Sequence, residues 1–222
     1  MIQFREKLKG SPAYARVAPF VIFLFLTSAP SFFGDSTRFW FYVAKTFVGA
    51  WLVWEMRPFV AEMRWAFSWE AVAVGIGVFF MWVFLDPFYP QAKAPSVVWN
   101  PFAEFGESSG TAWLFAGIRI LGMTIVVPPL EEAFYRSFLY RYFVRINFLE
   151  MPLSRFHFTS FLVTAVIFGV SHQQWLAGIL CGFAYQWLAL RKNRLGDSMT
   201  AHAITNFMLG VWVVWKGDWK FF

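Results

Sequence analysis

Three short groups of polar residues interrupt the apolar sequence of this 222-residue chain, and their side chains suit proton transfer. The groups are the pair Glu131 and Glu132, the single His172, and the pair His202 and Asn206. Carboxylates and imidazoles can take a proton from water, and imidazole and carboxamide N–H groups can stabilise a developing oxyanion. Ionisable groups are costly inside a membrane protein, so they usually mark a functional site. The three groups together therefore predict a site for bond cleavage by water.

The paired glutamates follow Pro128 and Pro129 directly. Two prolines are expected to end the preceding helix and to begin a new one. Both acids would then lie in the first turn of the new helix, where the helix dipole favours negative charge. Glu132 and Arg136 are four residues apart, so an ion pair can hold this carboxylate. Glu131 points to another face and is free to act as a base. The alternative is an ordinary helix N-terminus with acids at the water interface.

The two histidine motifs also have structural alternatives. His172 follows an apolar helix one turn after Phe168, where an imidazole serves as a base, a proton relay, a metal ligand or a helix cap. His202 and Asn206 are four residues apart and share one helix face. They can aim two N–H donors at one point, as an oxyanion requires. The alternative for this pair is a polar clamp between helices, which is common in membranes.

The composition indicates which architecture must position these groups. The chain is 59% hydrophobic, 23% aromatic and 14% charged, whereas soluble domains are about 25% charged. A spanning helix needs about 20 apolar residues. We therefore expect an all-α, polytopic membrane protein with about seven to eight transmembrane helices around a polar intramembrane cavity. Residues 1–222 would form a single integral membrane domain.

Apolar segments separated by polar or Pro- and Gly-bearing connectors mark the expected helices. They cover residues 14–33, 38–56, 68–85, 111–129, 158–173, 174–190 and 198–215. The stretch 131–148 carries Arg136, Arg141 and Arg145. It is either an interfacial amphipathic helix or a buried continuation of the fourth span.

The basic residues predict the orientation of the chain. The net charge of +6 lies in short clusters between apolar runs, which is typical of orientation signals and not of nucleic-acid binding. With alternating connectors, 13 Lys and Arg residues fall on the N-terminal side and four on the other, namely Arg38, Lys93, Lys216 and Lys220. This bias predicts a cytoplasmic N-terminus.

Strict alternation creates a conflict, because it puts His172 at the opposite end from Glu131 and His202. Groups about a bilayer width apart cannot cooperate. A shared site therefore requires the fifth and sixth helices to be tilted or broken.

Three motifs follow one another along the chain: Glu131-Glu132-x-x-x-Arg136, Phe168-x-x-x-His172 and His202-x-x-x-Asn206. In this order they resemble the CAAX-protease and bacteriocin-processing superfamily of intramembrane peptidases, which includes the type II prenyl-protein endopeptidases of the Rce1 or Abi type. The resemblance covers about 111–210, so a catalytic helix core is expected over 111–215, and the helices of 1–110 carry no matching motif. The size and opening of the chain also resemble prenyl-protease-related proteins found with bacterial exosortase systems.

The resemblance implies roles for six residues. Glu131 would activate water, with His172 assisting. His202 and Asn206 would stabilise the oxyanion, and Glu132 and Arg136 would hold the geometry of the site. It leaves two options for a cofactor, namely none, or zinc bound by Glu131, His172 and His202. The His-Glu-x-x-His signature of soluble zinc proteases is absent. Metal-independent activation of water is therefore the favoured option.

The resemblance also implies a multi-pass protein of the bacterial inner membrane that acts on a membrane-associated peptide or protein. The lipid bilayer is an expected partner, nucleic acid is not, and the sequence does not determine the oligomeric state. Two other functions remain open. One is a non-catalytic membrane immunity or sorting-accessory protein that keeps the polar cluster as a clamp. The other is a proton-coupled transporter that uses the same His and Glu residues.

Overall fold

The computed structural model describes residues 2–34, 37–92 and 98–222. These residues form helices, turns and irregular segments and contain no strand. The expected all-α class is therefore confirmed for the described part of the chain. Lys93, one of the basic residues assigned above to the side opposite the N-terminus, lies outside the described residues.

The described part of the first half of the chain contains α1 (Ile2–Gly10), α2 (Pro12–Ser28), the short α3 (Pro30–Phe33), α4 (Arg38–Met56), α5 (Trp69–Leu85) and the short α6 (Pro101–Phe105). Helices α4 and α5 agree closely with the apolar segments 38–56 and 68–85, and α2 and α3 divide the segment 14–33. Helices α1 and α6 were not predicted. Polar side chains cap two of the longer helices. The Ser11 side chain accepts from the Tyr14 backbone N–H at the start of α2, and the Ser68 side chain accepts from the Ala71 N–H at the start of α5. Such caps satisfy N–H groups that have no partner within the helix.

The second half contains the helices that carry the three motifs. They are α7 (Gly110–Tyr142), α8 (Phe158–Val170), α9 (Trp175–Lys192) and α10 (Gly196–Lys216). The glutamates lie on α7, His172 follows α8, and His202 and Asn206 lie on α10.

Helix α7 departs from the expected pattern, because it continues for 33 residues through both prolines. The preceding segment Gly122–Val126 is π-helical, and the Val127 N–H donates to the Gly122 carbonyl. This wider turn accommodates residues that have no N–H to donate. The prediction that the prolines begin a new helix is therefore wrong, and the paired glutamates lie inside a helix. Residues 131–142 are the buried continuation of the fourth apolar segment, which was one of the two expected options.

Among the residues that the structure describes, two helices are long and apolar enough to cross a membrane, Trp69–Phe88 and Gly110–Tyr142. Seven to eight spans therefore remain a prediction. Helix α8 has only 13 residues and is about 20 Å long, which is shorter than a hydrocarbon core of about 30 Å. His172 follows this short helix, so it need not lie a full bilayer width from the other two motifs.

Contacts between connectors divide the bundle into two ends. At the first end, Thr200 Oγ1 donates to the Ala66 carbonyl at 2.7 Å, and the Ser154 N–H donates to Asn193 Oδ1 at 3.0 Å. The first end therefore includes residues 57–68, 143–157 and 193–195. At the second end, the Ala92 N–H donates to the Gln173 carbonyl at 3.1 Å, and Gln174 Nε2 donates to the Lys220 carbonyl at 3.3 Å. The second end therefore includes residues 86–92, 171–174 and 217–222.

Small residues bring the motif-bearing helices close together. A Cβ atom on Gly178 of α9 would lie 2.8 Å from the Gly169 Cα of α8. A Cβ atom on Gly75 of α5 would lie 2.7 Å from the Ala201 carbonyl of α10. Only glycine fits these contacts without a shift of the backbone, so α8 packs directly on α9 and α5 packs directly on α10. The largest buried apolar cluster contains residues from α1, α2, α4, α5 and all four helices of the second half.

Candidate active site

A cavity of about 170 Å³ lies among α5, α7, α8, α9 and α10. Glu131, His172, His202 and Asn206 all line it. The structure thus brings together four of the six predicted site residues, although they are up to 75 positions apart in the sequence. A polar cavity of this size can hold several water molecules, since each occupies about 30 Å³ in the liquid.

Glu131 has a carboxylate oxygen that faces this cavity without a protein partner. Its side chain is 17% exposed, and Oε2 is buried with no hydrogen-bond partner among the residues that the structure describes. The nearest basic nitrogen in its surroundings is Nε2 of His202, at 3.9 Å. That distance is too long for a direct hydrogen bond. A buried carboxylate oxygen is costly without a donor, so this atom requires water or a substrate group.

Glu132 and Arg136 lie behind the cavity and fix the His202 ring. His202 Nδ1 is 3.0 Å from Glu132 Oε1, and Glu132 Oε2 is 3.3 Å from Arg136 Nε. All three side chains are buried. The Arg136 guanidinium lies 4.3 Å from the centre of the Phe168 ring, and Tyr185 stacks on His202 at 5.0 Å. A carboxylate can only accept, so Nδ1 carries a hydrogen and the Nε2 atom of His202 faces Glu131.

His172 is held by the end of the helix that precedes it. Its Nδ1 atom is 2.8 Å from the Phe168 carbonyl, and Trp82 packs edge-on against the ring at 5.5 Å. The carbonyl is an acceptor, so Nδ1 is the donor and Nε2 keeps a lone pair. Gln174 and Phe221 also line the cavity, so it extends toward the second end of the bundle.

Asn206 makes a contact that its spacing from His202 did not predict. Its Nδ2 atom donates to the Met123 carbonyl at 2.7 Å. In the π-helical register the partner of that carbonyl would be the N–H of residue 128, which is a proline. The carboxamide therefore supplies the donor that Pro128 lacks and ties α10 to α7. A carboxamide nitrogen carries two hydrogens, and the second remains for another acceptor.

Several residues of the site were not predicted from the sequence. Tyr185 stacks on His202 and donates its hydroxyl to Thr205 Oγ1 at 2.7 Å, and Gln174 and Trp82 line the cavity. The pairing of Glu132 with His202 was also missed, because it joins positions 70 residues apart. A lone tyrosine in an apolar helix is the only sequence signal for Tyr185.

The predicted zinc ligands do not form a metal-binding group in this arrangement. Within the described ranges, no set of three or more His, Cys, Asp or Glu side chains has a geometry that could hold a metal ion. His202 Nδ1 faces Glu132, and His172 Nδ1 faces a backbone carbonyl. Both rings therefore use Nδ1 for these contacts, which leaves their Nε2 atoms available.

Comparison with known proteins identifies the segment that contains these residues. Residues 112–208 match a family model described as "Type II CAAX prenyl endopeptidase Rce1-like". The matched range contains all six predicted site residues and the π-helical segment Gly122–Val126 of α7. No curated protein and no solved structure matches the chain significantly.

Proposed function

Because residues 112–208 form an Rce1-like domain of the CAAX protease family, we propose that this protein is an intramembrane endopeptidase. It hydrolyses a peptide bond of a membrane-associated peptide or protein. The observation that supports this most strongly is the buried, unpartnered Glu131 Oε2, which lies in a cavity shared with His172 and His202. A carboxylate in that position is suited to bind and deprotonate water.

In the proposed reaction, Glu131 takes a proton from a water molecule in the cavity, while the free Nε2 of His172 accepts a hydrogen bond from the same water. The water oxygen forms a bond to the scissile carbonyl carbon, and the carbonyl oxygen becomes an oxyanion. Glu131 then passes the proton to the leaving nitrogen, and the C–N bond breaks. The products are a new carboxyl terminus and a new amino terminus, so no co-reactant other than water is needed.

The oxyanion is stabilised by His202 and Asn206. Asn206 contributes the N–H that the Met123 carbonyl does not use. His202 contributes Nε2–H as a doubly protonated ring, whose Nδ1–H is held by Glu132. Donors that are fixed before the reaction need no reorganisation when the charge develops. Glu132 and Arg136 act through His202 and are therefore positioning residues.

The same proposal includes the placement of the chain. Residues 1–222 form one integral membrane domain with a catalytic helix core over 111–215. The protein crosses the bacterial inner membrane seven to eight times with a cytoplasmic N-terminus, as the distribution of basic residues favours. The reaction is independent of metal, and Glu131, His172 and His202 are the ligands that a zinc mechanism would use instead.

A non-catalytic clamp has no need of a cavity beside its polar atoms. Glu132 and Arg136 lie 3.3 Å apart and are fully buried, although Glu132 Oε2 and the Arg136 nitrogens also make no hydrogen bond within the described residues. Glu131 differs from them because it lines the cavity. This difference favours hydrolysis over a purely structural role.

The proposal is tested with purified protein in nanodiscs and a library of N-palmitoylated peptides, with products identified by mass spectrometry. Wild-type protein should produce new termini, with or without a chelator, and Glu131→Gln should not. Glu107→Gln, a change at an exposed acid outside the cavity, is the matched control and should cleave normally. Equal product from wild type and Glu131→Gln would remove the basis of the proposal. Loss of activity with chelator, restored by zinc, would replace the metal-independent mechanism.

A further inference from the structure

A second cavity of about 230 Å³ lies next to the candidate active site. Four cationic side chains line it, and no described lining residue is acidic. The cations are Arg38, Lys45, Arg119 and Lys220. Aromatic rings and the Gln173 side chain form much of the remaining wall. We call this space the basic cavity.

Two of the four cations have acidic partners outside the basic cavity. Arg38 Nη2 is 2.8 Å from Glu104 Oε2, and Lys220 Nζ is 2.8 Å from Asp86 Oδ2. Their charges are therefore largely compensated within the protein.

Lys45 and Arg119 are different, because neither has a carboxylate within ion-pair distance in the part of the chain that the structure describes. Lys45 Nζ donates to Thr27 Oγ1 at 3.3 Å and lies 4.4 Å from the centre of the Tyr42 ring. The Arg119 guanidinium lies 4.4 Å from the centre of the Trp99 ring, with Tyr42 also in contact. Aromatic faces offset part of a positive charge. Two like charges held together in this way form a site for an anion.

The basic cavity and the candidate active site share a wall. Gln173 lines the basic cavity, whereas its neighbours His172 and Gln174 line the active site. At the end of the chain, Phe222 lines the basic cavity and Phe221 lines the active site. Consecutive residues of two chain segments therefore face opposite sides of one partition. An extended peptide advances about 3.3–3.6 Å per residue, so the two cavities, which are lined by adjacent residues, lie within the span of a short peptide.

We propose that the basic cavity binds a carboxylate of the peptide substrate, on a residue close to the scissile bond. This inference rests on the proposed function, because it assigns a second binding point to the same substrate. A carboxylate can take two parallel hydrogen bonds from the Arg119 guanidinium. The Lys45 ammonium adds a second positive charge to the same cavity. A lipid phosphate would satisfy the same charges, but the shared wall favours a ligand that also enters the active site.

The first test measures binding without cleavage. Inactive Glu131→Gln protein in phosphatidylcholine nanodiscs is mixed with N-palmitoylated octapeptides of randomised sequence, prepared as free C-terminal acids and as C-terminal amides. Peptides that stay bound are counted by mass spectrometry. We expect acids to be retained at least about tenfold over amides, the factor that about 1.4 kcal/mol supplies. If the recognised group is a side chain, the retained amides will instead be enriched in Asp or Glu.

Variants then locate the recognition. Arg119→Met and Lys45→Met should each abolish the preference, and Arg119→Lys should keep part of it. Lys216→Met removes a cation near the same end of the bundle that contacts only Trp212 and Trp215 among described rings. This control should retain the full preference. If Arg119→Met does not fold, Lys45→Met and Arg119→Lys still decide the outcome.

Two results would overturn the inference. One is equal retention of acids and amides with no enrichment of Asp or Glu. The other combines two observations: no peptide preference, and phosphatidylglycerol that co-purifies with wild type but not with Arg119→Met. That combination would assign the basic cavity to a lipid. Failure of the proposed function looks different, because wild-type protein would then bind acids selectively but cleave none of them.

Discussion

Two groups of buried charge in this protein contain the same residue types but differ in how completely their atoms are paired. At the first end, Glu62 Oε1 lies 2.7 Å from Arg16 Nη2 and 2.6 Å from Arg141 Nη2, and Ser137 donates to the same oxygen. In the cavity, Glu131 Oε2 makes no hydrogen bond within the described ranges, and His202 Nε2 lies 3.9 Å away. The first group is closed on itself, whereas the second leaves an acceptor facing open space. We therefore place the proposed functional site at the group whose acceptor lines the cavity.

The closed group has a structural role. It joins α2, the connector 57–68 and α7 through one carboxylate. Burial alone would raise the pKa of Glu62, but the charge of Arg16 and the hydrogen bonds from Ser137 and Arg16 outweigh it and lower the pKa from 4.5 to about 2. The carboxylate is therefore ionised in the folded protein across the physiological range.

The largest expected effect is on activity, from Glu131→Gln. Loss of the general base should lower kcat by about 10³-fold, since such groups contribute about 10²–10⁴. The melting temperature should change little, because Glu131 Oε2 makes no hydrogen bond to described residues. Peptide cleavage rates and thermal unfolding of the same preparations provide the check. If Glu131→Gln keeps the wild-type kcat, or if it unfolds, the proposed distinction between a catalytic and a structural group of charges is wrong.

The opposite pattern is expected for Glu62→Gln. Two buried arginines would lose their carboxylate, and breaking such a group costs about 3–5 kcal/mol of unfolding free energy. Below its lowered melting temperature the variant should cleave peptide at the wild-type kcat. Denaturant unfolding in micelles measures the first quantity. A stable Glu62→Gln protein with low activity would show that this group serves catalysis after all.

Acid should act on the closed group in a predictable direction. The pKa of Glu62 is lower in the folded protein, so its contribution is complete above about pH 4.5 and is lost as the pH falls toward 2. The expected loss is about 3 kcal/mol, because one pKa unit corresponds to about 1.4 kcal/mol. Wild-type unfolding free energy should therefore fall more steeply over this interval than that of Glu62→Gln. Parallel curves for the two proteins would refute the assignment.

A smaller effect is expected from Asn206→Ala. Removing one oxyanion donor typically lowers kcat by about 10²-fold. Loss of the bond to the Met123 carbonyl should also cost about 1 kcal/mol of unfolding free energy. Asn147→Ala, at an exposed residue that pairs with Glu150, is the control. If kcat falls only as much as it does in the control, Asn206 is a helix clamp and not an oxyanion donor.

The smallest effect is expected from Tyr185→Phe. This change removes the hydroxyl that donates to Thr205 but keeps the ring that stacks on His202. Unfolding free energy should fall by about 1 kcal/mol, with kcat near that of wild type. Tyr142→Phe, near the end of α7, serves as the control. A large fall in kcat with unchanged stability would instead place the Tyr185 hydroxyl in the reaction.

The sequence predicts the parts of the fold that depend on local patterns. The apolar runs 38–56 and 68–85 correspond to α4 and α5 within one residue, since run length and flanking polar residues determine where those helices end. The gathering of Glu131, His172 and His202 was also expected. These residues are costly in apolar helices, so each must meet a polar partner or a cavity.

The remaining features depend on contacts between distant segments. The π-helical turn before Pro128 is possible because Asn206 supplies the missing donor from another helix. Nothing near Pro128 in the sequence indicates that partner. Glu62 was not singled out for the same reason, since its two arginines come from α2 and α7. The basic cavity likewise forms only when the second end of the bundle is assembled.

The central claim is that Glu131 activates a water molecule in this cavity to hydrolyse a peptide bond. The most direct measurement is peptide cleavage in H₂¹⁸O, with the isotope in the new carboxyl terminus read by mass spectrometry. Wild type and Glu62→Gln should incorporate one ¹⁸O per cleavage at similar initial rates, measured below the melting temperature of Glu62→Gln. Glu131→Gln should incorporate the isotope about 10³-fold more slowly. Incorporation by Glu131→Gln at the wild-type rate would contradict the account.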